Sequence, residues 1–332
     1  MTQRSDHFDG RRFFNPSGAN GQPFWRLPSL FLTPRTRWPS HLPVEQKQPP
    51  NTGPGDVVVT FIGHASFLVQ VADVNLLIDP VYAERASPLS FAGPRRVRAP
   101  GVRLDDLPPI SCVLLSHNHY DHCDLRTLRA LDHRFHIPIV TPIGNRRLLQ
   151  AAGIEHIEEL DWWERARTAP LPVTLTPAQH FSARHPFDRN RALWGGFLIE
   201  TPGPRIFFAG DTGYGSHFGE IAARLGPIDF ALIPIGAYEP RWFMKDIHMN
   251  PAEAVQAHLD LAPRESLAMH FGTFQLTPEG IDDPPRELAK ALLDRGVPAE
   301  RFRAVPVGAS VWVRGRDGTG GSGHSASASP RG

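Results

Sequence analysis

Cysteine is nearly absent. Cys112 and Cys123 are the two in 332 residues, too few for a disulfide framework, so a small stapled secreted scaffold is excluded. Lysine is also rare: Lys47, Lys245 and Lys290 stand among 35 basic residues that are otherwise Arg. We read this as compositional bias of the kind a GC-rich genome imposes, not as a binding signal. Charge of one sign is missing too. A formal net charge of +1 supplies no field for a polyanion and argues against nucleic acid as a partner. No run of 18 apolar residues occurs, so no membrane-spanning helix is expected. The start, Met-Thr-Gln-Arg-Ser-Asp-His-Phe-Asp-Gly, lacks the apolar core of a signal peptide. A cytoplasmic protein is the expectation.

Histidine is plentiful, with 16 in the chain, and it is concentrated. Residues 112–124 read Cys-Val-Leu-Leu-Ser-His-Asn-His-Tyr-Asp-His-Cys-Asp. An apolar, strand-like run, Ile110 to Leu115, ends in His117, His119, Asp121 and His122. Imidazole and carboxylate are the ligands that zinc and similar ions accept. Asp124 then stands where a helix N-cap belongs, with Leu125, Leu128 and Leu131 at helical spacing. The four ligand candidates therefore fall on a loop between a strand end and a helix start, where the active-site groups of layered α/β folds gather.

The chain is long enough for one large domain or two average ones, and its 41% hydrophobic content suits a sizeable core. Residues 1–55 are rich in Pro, Gly and aromatics. They read as an arm, either packed on the outside of the domain or forming a hydrophobic lip for lipid or a partner subunit. A catalytic domain is expected over 56–314 and a disordered Gly/Ser tail over 315–332. Val57 to Ile78 alternates as an antiparallel meander. His64 reads as a core histidine or one that braces a ligand. Asp79, at a strand end, reads as a brace for an imidazole of the metal loop. Residues 82–108 form a long irregular connection, whose arginines (85, 95, 96, 98 and 103) are expected mostly in solvent, with some able to meet an anion. Beyond the metal loop, strands alternate with helices, which points to an α/β layer.

Further candidates follow at strand ends. His180 comes after the strand Val173 to Thr176, and His270 after Ser266 to Met269. Asp211 lies in Ala-Gly-Asp-Thr-Gly, where glycines let the backbone bend tightly and bring a carboxylate close to a partner. The loop 234–245, Pro-Ile-Gly-Ala-Tyr-Glu-Pro-Arg-Trp-Phe-Met-Lys, reads as a substrate wall, with Tyr238 and Trp242 as candidate contacts.

The order His-x-His-x-Asp-His is that of the metallo-β-lactamase superfamily. Phe207 to Tyr214, Ile233 to Lys245, Ser87-Pro88, Phe91 to Pro94 and Trp194 to Phe197 closely resemble the N-acylphosphatidylethanolamine-hydrolysing phospholipase D family, over about residues 50–290. The resemblance implies an α/β fold, the four-layer αββα metallo-β-lactamase sandwich. It implies two zinc ions, with iron or manganese as substitutes in a His/Asp site. His117, His119 and His180 would hold one ion, Asp121, His122 and His270 the other, and Asp211 would bridge; Asp121 and Asp211 are thus the catalytic candidates. His248 becomes a substrate contact. The family's animal members carry Gln where this chain has Ile247, and Trp where it has Phe181. The implied reaction cleaves a phospholipid to an N-acylethanolamine and phosphatidic acid. The implied setting is a homodimer in peripheral contact with the inner face of a membrane. The alternative is hydrolysis of a lactone, thioester or other phosphodiester on the same scaffold.

Overall fold

The computed structural model describes residues 5–315, apart from Asn20, Pro23, Leu27, Pro28, Leu30, Phe31 and Pro186. The Gly/Ser tail beyond Gly315 and the apolar Leu27, Leu30 and Phe31 lie outside the described residues.

Two sheets organise the chain. The first has seven strands. A meander opens it: β1 (Val57–Gly63), β2 (Ser66–Val71) and β3 (Val74–Ile78), paired antiparallel. Parallel strands extend it through β4 (Cys112–Leu114), β5 (Ile139–Pro142) and β6 (Ile157–Leu160). The second, six-stranded sheet begins with antiparallel β7 (Val173–Thr176), β8 (Gly196–Glu200) and β9 (Arg205–Phe208). It continues in parallel through β10 (Phe230–Pro234), β11 (Glu265–Met269) and β12 (Phe302–Arg303). The last two strands separate: β12 joins the second sheet, while β13 (Ser310–Trp312) returns to pair with β1.

Period-two alternation makes the layers. Val57, Val59, Phe61, Phe67, Val69, Leu76 and Leu114 share one core with Phe197, Phe207, Phe208 and Leu232 of the other sheet. Their neighbours Ile62, Leu68, Leu77, Val113 and Ile139 face the opposite way, onto Leu128, Leu131 and Leu149. Those last three belong to helices α1 (Leu125–Phe135) and α2 (Arg146–Ala151). On the far side of the second sheet, α3 (His217–Leu225), α5 (Pro251–Leu261) and α6 (Asp283–Asp294) contribute Phe218, Ile221, Val255 and Leu288 to the core. The result is helix, sheet, sheet, helix, the expected αββα sandwich. A short α4 (Arg241–Met244) lies in the loop after β10.

Helix starts obey local chemistry. Asp124 caps α1, accepting from the backbone N–H groups of Arg126 and Thr127. Asn250 and Glu253 form a reciprocal capping box on α5, with Pro251 in the first turn. No helix among the described residues is long and apolar enough to cross a membrane.

The long connection 82–108 departs from expectation. Arg96 turns inward, donating to the carbonyls of Val81 and Ala83 with its guanidinium over the Phe274 ring. Arg98 likewise donates to Gly272 O. These arginines satisfy main-chain carbonyls that no strand reaches and are only partly exposed. In the N-terminal segment Phe8 and Phe13 are buried, while Trp25 (77%) and Leu32 (84%) are exposed.

Phe208 interlocks the sheets, fully buried with its ring 6.4 Å from that of Phe67. Phe208→Ala should lower stability by about 3–5 kcal/mol, read by chemical denaturation. A loss below about 1 kcal/mol would show that the two sheets do not depend on this contact.

Candidate metal centre

The ligand candidates leave the strands at one edge of the sandwich. His117, His119, Asp121 and His122 follow β4, His180 follows β7, Asp211 follows β9 and His270 follows β11. All are buried except His119, which is partly exposed. His117 Nε2 lies 2.8 Å from His119 Nδ1, and His180 Nε2 lies 3.2 Å from the same atom. Asp211 Oδ2 stands 3.9 Å from His117 Nε2 and 3.8 Å from His180 Nε2. The same oxygen is 3.1 Å from both His122 Nε2 and His270 Nε2. Asp121 Oδ2 lies 3.3 Å from His270 Nε2 and 3.7 Å from His122 Nε2. Two ligand atoms on a tetrahedral zinc ion are about 3.4 Å apart, so both groups have the right span, and Asp211 belongs to each.

Three of the imidazoles are oriented from behind. His122 Nδ1 meets Asp79 Oδ2 at 2.7 Å, the brace expected of Asp79. His117 Nδ1 meets Ser116 Oγ at 2.9 Å, and Ser116 N donates to Asp79 Oδ1. His180 Nδ1 donates to Ile247 O. With the rear nitrogen engaged, the front nitrogen presents its lone pair to the site. His64 joins the second group as well. Its Nε2 sits 3.0 Å from Asp121 Oδ2, a bond that holds the carboxylate in place.

The backbone is strained around the same point. His64 (φ 57°), Asp79 (φ 40°), Ala237 (φ 59°) and His270 (φ 61°) all adopt the left-handed region, at about 1–3 kcal/mol each. Gly210, at φ 63°, brings the chain so close to Gly195 O that a Cβ would sit 2.5 Å from it. Only glycine fits there, and it delivers Asp211 into the gap between the sheets.

The centre suits metal ions on chemical grounds. His122 Nε2, His270 Nε2 and Asp211 Oδ1 are buried and make no hydrogen bond. Orphans of this kind cost about 1–3 kcal/mol each, and coordination removes the penalty.

A family model described as a beta-lactamase superfamily domain matches residues 74–271. The chain belongs to the metallo-β-lactamase superfamily. An N-acyl-phosphatidylethanolamine-hydrolyzing phospholipase D of Caenorhabditis elegans is 39% identical over 246 residues, which is 71% of this chain and 69% of that one. An uncharacterised protein of Mycobacterium tuberculosis is 40% identical over 250 residues, 73% of this chain; the match spans 66% of that relative, just under two-thirds of its length. A metallo hydrolase of Ignicoccus hospitalis superposes with a TM-score of 0.58 at 23% identity, over 77% of this chain and 98% of that one, a likeness of fold alone. The chain has the metallo-β-lactamase fold and is a homologue of the N-acylphosphatidylethanolamine-hydrolysing phospholipases D.

Above the metallo-β-lactamase centre opens a cavity of about 260 Å³, with walls that include Tyr120, Phe181, Phe243, Met244, Ile247, His248 and Leu276. Of the expected substrate contacts, His248 lies in this wall, its Nε2 4.0 Å from Asp211 Oδ2. Tyr238 and Trp242 do not line it. Tyr238 is buried beside Glu279, which accepts from its backbone N–H, and Trp242 points outward from α4, half exposed. The walls come instead from the neighbouring residues of that short helix, Phe243 and Met244. Arg184 escaped notice in the sequence. It donates to the carbonyls of Asn118 and Cys123 and lies over the Tyr120 ring at 3.9 Å, gripping the ligand loop. No sequence pattern links positions so far apart.

Electrostatics divide the imidazoles. Burial, aided by like-charged neighbours, holds His117 well below its usual range and takes His119 to about 3. Burial also brings His180 down to about 4, against the pull of Asp211. These three remain neutral and ready to ligate. For His122 and His270, burial is outweighed by Asp211 and Asp121, which raise His122 well above its usual range and His270 to about 9. Burial favours the protonated carboxyl of Asp211, but His122 and His270 win and hold it well below the usual carboxylate range.

The raised His270 pKa has a definite sign. Its contribution to stability is complete below about 6.5 and is lost as pH rises through about 9. The melting temperature of metal-free protein should therefore fall between those pH values. Excess zinc should remove most of the fall, because the ion takes the place of the proton. Parallel pH slopes with and without zinc would show that protons and metal do not compete here.

Proposed function

We propose that the protein is a hydrolase that uses two zinc ions to cleave a phosphodiester, and that its substrate is N-acylphosphatidylethanolamine. The products are an N-acylethanolamine and phosphatidic acid. The observation that carries the reading is Asp211 Oδ2, in reach of His117 and His180 on one side and of His122 and His270 on the other. A carboxylate placed in this way can serve two ions a few ångströms apart. Homology to the phospholipase of Caenorhabditis elegans supports the choice of substrate.

His117, His119 and His180 would hold one ion, and Asp121, His122 and His270 the other, with Asp211 between them. When bound, such a pair offsets charge on phosphoryl oxygens and lowers the pKa of water to about 7. The chain's own residues do the rest. Ser116, Asp79 and Ile247 O keep the imidazoles from turning as charge develops. His248 is held neutral by burial, against Asp211. Its ring can give a hydrogen bond to a phosphoryl oxygen without bringing a second positive charge. Phe181, Phe243, Met244, Ile247 and Leu276 exclude bulk water and pack against lipid. Water adds its hydroxyl to phosphorus, the P–O bond to the N-acylethanolamine breaks, and the leaving oxygen takes the proton.

Phe187 (79%) and Trp242 (48%) are exposed on the loops that also supply the walls Phe181 and Phe243. They support peripheral work at the inner face of a membrane. The second reading, another metal-dependent hydrolysis such as that of a lactone or thioester, draws on Phe181 and Ile247. Both line the cavity, and both replace polar or larger residues found in the family's animal members.

Zinc-loaded protein incubated with N-acylphosphatidylethanolamine should yield both products by mass spectrometry, and Asp211→Asn should yield neither. Cleavage of a simple aryl phosphodiester but not of the lipid would keep the chemistry and discard the substrate. Silence on both would move the function to a carbonyl substrate. His248→Ala should lower kcat/KM by about 10²-fold while metal content stays at the wild-type value. Unchanged kinetics would remove His248 from the substrate's contacts.

A further inference from the structure

The holders of His117 and His122, Ser116 and Asp79, stand just past the ends of β4 and β3. His180 is different. It lies beyond the end of β7, in irregular chain, where no strand can take its main-chain groups. Both are taken by a residue 165 positions earlier. Asn15 Oδ1 accepts from His180 N at 3.2 Å, and Asn15 Nδ2 donates to His180 O at 2.9 Å. The side-chain amide thus replaces the missing strand, pairing with both polar groups of one peptide unit's residue. Asn15 is 3% exposed, so water cannot substitute for it.

The segment that carries Asn15 is itself tied down. Phe13 N donates to Asn190 O, and Phe14 N to His7 O. His7 Nε2 meets Asp161 Oδ1 at 2.7 Å, with its ring stacked on Trp162 at 4.3 Å. Phe8 and Phe13 pack against each other and join the main core. On the other side Ser17 Oγ donates to Gln179 Oε1. Gln179 Nε2 in turn donates to Asp246 O, next to the Ile247 whose carbonyl holds the His180 ring. The N-terminal segment and the cavity wall therefore grip His180 from two directions, one by its backbone and one by its ring.

We propose that residues 7–17 form a clamp that sets His180 as a metal ligand, with Asn15 as the positioning residue. The proposal rests on the reading of His180 as a ligand of the group it shares with His117 and His119. A loosened backbone at residue 180 displaces Nε2 from that group and leaves the group of Asp121, His122 and His270 intact. The clamp thus acts on one ion of the two.

The test is metal binding, not turnover. Wild-type, Asn15→Asp and Asn15→Ala proteins would be titrated with zinc against a chromophoric chelator, and with cobalt followed by its visible spectrum. Leu288→Ala, in the core beneath α6 and outside residues 7–17, is the control for stability. The wild type should take up two ions. Both Asn15 variants should bind one of the two about 10–100-fold more weakly, with an altered cobalt spectrum for that ion and the other affinity unchanged. Asn15→Asp keeps the acceptor for His180 N and should fall between wild type and Asn15→Ala. Two unchanged affinities, or a loss no larger than that of Leu288→Ala at matched melting temperature, would overturn the clamp while leaving the dinuclear reading standing. A wild type that binds no second ion would overturn both.

Discussion

The structure depends on one buried carboxylate. Asp211 is 3% exposed and faces four imidazoles from three separate segments. A lone charge in that position would be driven to neutrality. It is kept ionised because positive charge is always at hand, carried by protons on His122 and His270 or by ions held between the same atoms. The two states are exchangeable, and that exchange ties the fold's electrostatics to its chemistry.

Everything nearby is arranged to bring that carboxylate to the imidazoles. Parallel strands end at a common edge, so ligands from β4, β7, β9 and β11 converge although they are spread over more than 150 residues. Left-handed backbone at His64, Asp79 and His270 and the close approach of Gly210 to Gly195 bend each strand exit into the site. Such strain persists only where the surrounding packing over-determines it. Here the core of Phe61, Phe67, Phe197 and Phe208, shared by both sheets, supplies that packing. Stability and chemistry are thus divided in space, with the apolar middle of the sandwich bearing the strain stored at its edge.

The first ligand candidates were readable in the sequence because their chemistry is local, and the family resemblance pointed to the later ones. His117 to His122 are contiguous, and His180, Asp211 and His270 each follow a strand-like run. The sandwich was readable from alternation in 57–78 and from strand-helix repetition after it. What could not be read was which way side chains point from irregular chain. Tyr238 and Trp242 look like a substrate wall, yet the short helix α4 turns Phe243 and Met244 inward in their place. Arg96 and Arg98 look like surface charge, yet unpaired carbonyls draw them in. Asn15 and Arg184 act on residues 165 and about 60 positions away, and nothing in their own neighbourhood announces the pairing.

The most direct measurement is anomalous diffraction at the zinc edge from crystals of the zinc-loaded protein. The account predicts two peaks about 3.5–4 Å apart, one among His117, His119 and His180, the other among Asp121, His122 and His270, with Asp211 between them. A single peak, or a pair that leaves Asp211 uncoordinated, would contradict it.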